Sequence, residues 1–430
     1  MNHAVVEAHY DWLVMLFLGG GNDLFRFGEN MLDETQRVGS TDRVAVVAEH
    51  DPTEPGEPTV RGQILDGRWE KQSIGLTAGD PPTILDFIEY SKRRFPAEKK
   101  MLVLWDHGNG WQVTHVFGSI VEETAAQRIE AIFNDGQSGI SLLCFDSCLM
   151  AMIEIVYQLR GKVECIVASE HVVPADTGWP YATILSTLAM RPHTTPSQVA
   201  CAIVDGFSGS YNNFDQAVTL SALKVDKVED AVKAVSRLAC VLIAACVNGQ
   251  DEKVMFARRY AQSFGNPDYI DIISFCDELQ RQPLSPEIKA AAEYVKEKVA
   301  AMILAATRGS ARSVSAAHGL SIYFPERPMS SLYAKLDFAK PENCMWATFI
   351  AMMAPKLDLP KPLRVRRHRV KVESEVDEAI VTKTEAIGVA LRPSLVGPAS
   401  AGAQHGSHGE SHRGNGSRVQ NGASKKKKAS

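Results

Sequence analysis

Residues 101–105, MLVLW, run straight into Asp106-His107-Gly108-Asn109-Gly110-Trp111, and residues 140–145, ISLLCF, run into Asp146-Ser147-Cys148. Both are short continuous apolar runs, the form taken by strands buried on both faces. Between them Ala125, Ile129, Ile132 and Phe133 recur at helical spacing. A strand–helix–strand unit implies parallel strands joined by a crossover, and parallel sheets collect functional groups just beyond the carboxyl ends of their strands. Neighbouring strands here would therefore bring His107 and Cys148 to one sheet edge.

The same alternation extends outward. Residues 12–18 form an apolar run ending in Gly19-Gly20-Gly21, residues 43–49 form a second, and residues 59–64 read as a short hairpin. Residues 80–94 carry a helical pattern opened by Asp80-Pro81. Residues 149–159 form a further helix, followed by a strand at 165–168. The region reads as a doubly wound α/β domain over residues 1–210. Residues 211–360 read as a helix-rich C-terminal subdomain, with strands at 217–223 and 319–324 and helices at 226–247, 269–279 and 286–307. Beyond them apolar content falls, and residues 361–430 are expected to be a largely disordered tail from about Gly388 onward.

Composition is that of a globular protein, 45% hydrophobic and 23% charged. The net charge of −5 hides an asymmetry: the tail carries 14 Lys or Arg against 6 Asp or Glu, which leaves −13 on residues 1–360. An acidic body suits basic partners. Eight cysteines in 430 residues are too sparse for a disulfide scaffold, and several sit in apolar runs. A reducing, cytoplasmic location is expected. The run at 12–18 is too short to span a membrane and follows His3, Glu7 and Asp11 rather than the basic segment of a signal peptide.

A cysteine and a histidine at one sheet edge are the nucleophile and proton shuttle of thiol acyl transfer. The apolar stripe Leu149, Met152, Ile153, Val156 puts Cys148 at a helix start, where the helix dipole would depress its pKa. The glycines flanking His107 would let the backbone approach a carbonyl, with the amides of Gly108 and Cys148 as an oxyanion hole. Spacing alone leaves other readings open: a lone cysteine after a strand is usually core, and a histidine in a glycine-rich turn is usually a turn residue.

The segment at 102–111, LVLWDHGNGW, resembles the histidine motif of the clostripain family of cysteine peptidases, and 144–159, CFDSCLMAMIEIVYQL, resembles its nucleophile motif. Similarity continues in residues 12–24, 79–101, 168–181 (ASEHVVPADTGWPY) and 319–325 (GLSIYFP), covering roughly residues 10–355. The resemblance implies a caspase-like, mostly parallel sheet flanked by helices, with a catalytic dyad of His107 and Cys148. It also implies cleavage after Arg or Lys in peptide or protein substrates. A desolvated cation needs a paired carboxylate. Asp146, two residues before the nucleophile, is the expected pocket acid, with a helix cap as its alternative. Asp176 is the second candidate, with an ordinary solvated loop acid as its alternative.

Some family members are processed between histidine and cysteine at a basic residue. Here Arg128 is the only Lys or Arg in that interval and falls inside a predicted helix, so an unprocessed chain, or processing elsewhere, is expected. No cofactor is expected. Calcium dependence occurs in part of the family, but no dense oxygen-ligand loop is visible here. Gly19-Gly20-Gly21-Asn22-Asp23 lacks a nucleotide-binding pattern, and His405, His408 and His412 lie in a Gly/Ser-rich stretch unsuited to a metal site. Residues 425–428, four lysines, read as a solvated end rather than a nucleic-acid contact, and no partner for the tail is legible. The rival from another class is a non-proteolytic caspase-like binding or regulatory protein. Acyl transfer by the same dyad is a third reading that sequence does not separate.

Overall fold

A computed structural model describes residues 10–19, 23–50, 58–77, 84–112, 125–133, 139–211 and 216–353, all within one compact unit, Met1–Val365. The tail expected beyond residue 360, Asp80-Pro81 and the triglycine's last two residues lie outside the described residues.

The first strand explains the layering. β1, Tyr10–Leu18, is buried almost throughout. Leu13, Met15 and Phe17 enter one hydrophobic core and Trp12, Val14, Leu16 and Leu18 enter the other. With a period of two and both faces dry, every position from Trp12 to Leu18 is apolar, and that stretch appears in sequence as a continuous run. β2 (Val44–His50), β3 (Pro58–Leu65), β4 (Arg68–Thr77), β5 (Ala97–Trp105), β6 (Leu142–Asp146), β7 (Cys165–Ala168), β8 (Thr219–Lys224) and β10 (Ile303–Arg308) complete a nine-stranded sheet in the order β10-β8-β7-β6-β5-β1-β2-β3-β4. Its centre, β7 to β2, is parallel, and the flanking strands are antiparallel. β9 (Tyr269–Asp271) and β11 (Ser321–Tyr323) form a separate antiparallel pair. Helices Phe25–Gln36, Tyr181–Met190 and Pro196–Tyr211 supply the core on one face. Those on the other include Ile84–Arg94, Val228–Val247, Ile272–Arg281 and Pro286–Ala300. The mostly parallel sheet flanked by helices is therefore as expected. The helix-rich stretch after residue 211 also lends β8 and β10 to the main sheet.

Three local expectations are corrected. The helix expected at 149–159 is only Ile153–Gln158, with Met152 extended at its N-cap (φ −120°, ψ 140°). The backbone of 149–152 bonds sideways instead: the N–H groups of Leu149 and Ala151 donate to His171 and Ser169, and Ser321 N–H donates to the Ala151 carbonyl. Those lateral bonds consume the groups a helix would need. The helix expected at 286–307 ends at Ala300, and Ile303–Arg308 pairs with β8 as the edge strand. A short apolar run fits either period, and the available sheet edge decides. The helix expected at 269–279 is split likewise: Tyr269–Asp271 is β9, and Asp271 caps the helix that follows by accepting from Ser274 N–H at 2.6 Å.

Candidate active site

Chain order reverses between β1 and β5: β2 lies on one side of β1, while β5, β6 and β7 step away on the other. The carboxyl ends of the strands flanking such a reversal open a crevice. Leu18 pairs with Trp105, and Trp105 with Asp146, so the three strands end level. His107 and Cys148 each stand two residues beyond the Trp105–Asp146 pair. Ser147 Oγ donates to the Leu104 carbonyl at 3.2 Å, which ties the end of β6 to β5.

Close approach of the two turns depends on one missing side chain. A Cβ at Gly108 would lie 2.3 Å from the Cys148 carbonyl oxygen and 2.8 Å from its nitrogen. Only glycine lets the histidine turn rest on the cysteine backbone in this way. Both the Gly108 and Val173 amides act on the sulfur, with Val173 N–H at 3.4 Å from Sγ. Burial pushes the Cys148 thiol up from its ordinary pKa, the backbone of Val173, Gly108 and Cys148 itself pulls it back, and Asp146 adds to the rise. The depressed pKa expected from a helix start is therefore corrected: the helix begins five residues later, and desolvation dominates. Leu149, next in the chain, is the non-glycine residue with positive φ (66°) among the described residues. Backbone strain of this kind clusters at functional turns.

His107 is held by a residue that sequence reasoning passed over. Its Nε2 lies 2.7 Å from Asp23 Oδ1, just past the end of β1. The tautomer that donates Nε2–H to that carboxylate places the ring's lone pair on Nδ1. In sequence Asp23 stands out only as the end of a glycine-rich stretch that lacks a nucleotide-binding pattern. The usable signal was its place at the end of a strand flanking β5, which only sheet order reveals.

Asp146 is buried, and its Oδ2 accepts from Tyr181 O–H at 2.7 Å. Burial raises its pKa to about 7, and the tyrosine's hydrogen bond works against that rise. The helix-cap alternative is removed, because the next helix is capped by Met152. Asp176 is exposed and accepts from Thr177 N–H at 3.0 Å. Burial raises the Tyr211 pKa, both carboxylates add to the rise, and Tyr211 O–H donates to the Gly178 carbonyl at 3.0 Å. Trp179 stacks near Tyr181 with ring centroids 6.5 Å apart. Asp146, Asp176, Tyr181 and Tyr211 thus share one neighbourhood, and Asp146 within it acts on the thiol. Among the described residues no group of three or more His, Cys, Asp or Glu is placed to hold a metal, and no helix is long and apolar enough to cross a membrane. All eight cysteines are free. Arg128 falls in the helix Ala125–Ile132.

The comparisons agree with this architecture. The clostripain family model matches residues 20–352. Clostripain of Hathewaya histolytica is 27% identical over 203 residues, which cover 40% of this chain and 37% of that protein, so the match spans just over a third of the relative. Among solved structures, a secreted cysteine protease from Bacteroides thetaiotaomicron, in complex with an irreversible peptide inhibitor, aligns with a TM-score of 0.58 at 15% identity, covering 79% of this chain and 99% of that one. An inactive protease zymogen from Parabacteroides distasonis aligns with a TM-score of 0.58 at 18% identity, covering 78% and 99%. At those identities the structures speak for the fold, while the family model covers most of the chain. Joined to the histidine and cysteine turns at the ends of β5 and β6, that match assigns this chain to the clostripain family.

Proposed function

We propose that the chain is a cysteine endopeptidase that cleaves after Arg or Lys, with Cys148 as nucleophile and His107 as general acid and base. One observation carries the reading: the Gly108 amide and the Val173 N–H converge on the Cys148 sulfur at the end of β6, while the histidine turn of β5 packs on the cysteine backbone.

The raised thiol pKa means that the resting group is S–H, so a base must take its proton as attack begins. His107 is the base. The sulfur attacks the carbonyl carbon of the basic residue, and the amides of Gly108 and Cys148 receive the oxyanion. The imidazolium then protonates the leaving amine as the C–N bond breaks, leaving a thioester. In the second half His107 takes a proton from water, hydroxide adds to the thioester, and the thiolate departs and recovers its proton. Asp23 steadies the ring through the 2.7 Å contact. Asp146, with Asp176 at the rim, receives the cationic side chain: a buried carboxylate without a cation is costly, so a basic residue is the favourable guest.

The test is a labelled arginyl or lysyl acyloxymethyl ketone, together with a peptide library profiled with and without a calcium chelator. Stoichiometric labelling at Cys148 and cleavage after basic residues are expected, and both vanish in a folded Cys148→Ala variant. Turnover in that variant, or no labelling of the wild-type protein, overturns the proposal, and the second result favours a non-proteolytic binding protein.

A further inference from the structure

Directly after β7 the chain runs Ser169-Glu170-His171-Val172-Val173 and lies along the nucleophile turn like a strap. Leu149 N–H donates to the His171 carbonyl at 3.1 Å, Ala151 N–H to the Ser169 carbonyl at 2.9 Å, and Val173 N–H meets the Cys148 sulfur at 3.4 Å. The turn it supports contains Leu149 at φ 66°, a conformation that persists only where surroundings over-determine it. The strap must itself be anchored from behind. Thr219 Oγ1 of β8 does part of this, accepting from the N–H groups of Glu170 and His171, both at 3.0 Å.

The Glu170 side chain does the rest. It is fully buried, and its Oε2 accepts from Gly319 N–H at 2.8 Å, while no donor reaches Oε1. Beside it stands Asp271, also fully buried, whose oxygens already accept from Ser274 N–H at 2.6 Å, His318 N–H at 2.6 Å and His318 Nδ1 at 3.0 Å. Glu170 has one donor, and burial beside Asp271 holds its carboxyl well above the usual carboxylate range, so it keeps its proton and donates toward Asp271. His318, its own pKa raised by Asp271, and Arg308 of β10 border an open recess with Glu170, which gives that proton a route to solvent. Asp277, on the helix after β9, is the further charge felt at His318. The mechanism proposed above uses none of these groups.

We propose that the Glu170–Asp271 pair is a positioning device for the nucleophile, fixing the 169–173 strap that holds the Cys148 turn and sulfur in place. It rests on the reading of Cys148 as nucleophile, and the experiment keeps the two apart. Ionising Glu170 would leave a carboxylate with one donor in a dry site beside Asp271 and loosen the strap's anchor to Gly319, so rate should fall on the alkaline side. Glutamine keeps both the acceptor for Gly319 and a donor toward Asp271 without the titration, whereas alanine removes the anchor.

Full-length wild-type, Glu170→Gln and Glu170→Ala proteins are compared by ketone labelling of Cys148 and by peptide hydrolysis from about pH 5 to about pH 9. Glu170→Gln is expected to keep kcat within about three-fold at neutral pH and to lose the alkaline fall. Glu170→Ala is expected to lower kcat about ten-fold or more while KM moves by less than about three-fold. If Glu170→Ala does not fold, the Glu170→Gln profile decides alone. A wild-type alkaline fall retained in Glu170→Gln, or wild-type kcat in a folded Glu170→Ala, overturns the inference alone. Failure of wild-type Cys148 to label overturns the nucleophile assignment and this inference with it.

Discussion

If Asp146 receives the basic side chain as proposed, it couples specificity to pH. Its carboxyl, held at about 7 by burial, is largely protonated in mildly acidic solution, yet only the ionised form pairs with a guanidinium or ammonium. For an Arg or Lys substrate, kcat/KM should therefore rise as pH climbs through about 7. A substrate with a neutral side chain at that position should lack this limb. Steady-state profiles on matched peptides check it. Tyr181 O–H stabilises the ionised carboxylate, so Tyr181→Phe should move the limb to higher pH. Asp146→Asn should lower kcat/KM for basic substrates about 100-fold or more, since a buried cation would lose its partner. At Asp23 the carboxylate is 81% exposed and pairs with His107 in solvent. Asp23→Asn should cost about ten-fold in kcat, increasingly masked at high salt.

Among the elements, the two turns beyond β5 and β6 matter more than the strands that carry them. Gly108→Ala would place a methyl 2.3 Å from a backbone oxygen, where no side chain can swing aside. The histidine turn must lift off the cysteine backbone, and misplacement of about 1 Å costs roughly 100-fold in rate. That loss of kcat is expected, read beside a thermal melt to separate it from unfolding. Gly110 is confined in the same way: it has φ 61°, and a Cβ there would meet Met152 Sδ at 2.4 Å and the Tyr269 ring at 2.7 Å. Tyr269 O–H also donates to the Asn109 carbonyl at 2.8 Å, so the turn bearing His107 leans on β9. None of this was legible locally. The glycines were visible, but what they approach lies about 40 and 160 residues away.

Across the whole molecule, the helices behind the site bury an acid in an aromatic nest. Glu154 is fully buried, its Oε1 accepting from Tyr323 N–H and Tyr333 O–H, both at 2.8 Å. Trp111 meets the rings of Tyr323 and Tyr333 with centroids 5.1 Å away in each case. Burial raises the Glu154 pKa to about 7 from 4.5. A raised folded-state pKa means that the native protein binds a proton the unfolded chain has released. Its contribution is complete below about 4.5 and is lost as pH rises through about 7. Over that interval the loss amounts to roughly 3 kcal/mol. Chemical denaturation at a series of pH values should show the decline, and Glu154→Gln should flatten it.

Continuous apolar runs located the centres of β1, β5, β6 and β7, because the part of a strand dry on both faces is apolar at successive positions, and they placed His107 and Cys148 just beyond the ends of two of them. The quoted motifs carried the family. What sequence could not supply was lateral: which strands are neighbours, and therefore that Asp23 meets His107, that Tyr181 meets Asp146 and that the 169–173 strap restrains the thiol. It also missed that residues 149–152 stay out of the helix and that residues 303–308 form an edge strand, since local propensity is weak beside hydrogen bonds offered by distant backbone. Apolar pattern is a property of each segment in turn, whereas the ionisation of Cys148, Asp146 and Glu170 is set by what the fold packs around them.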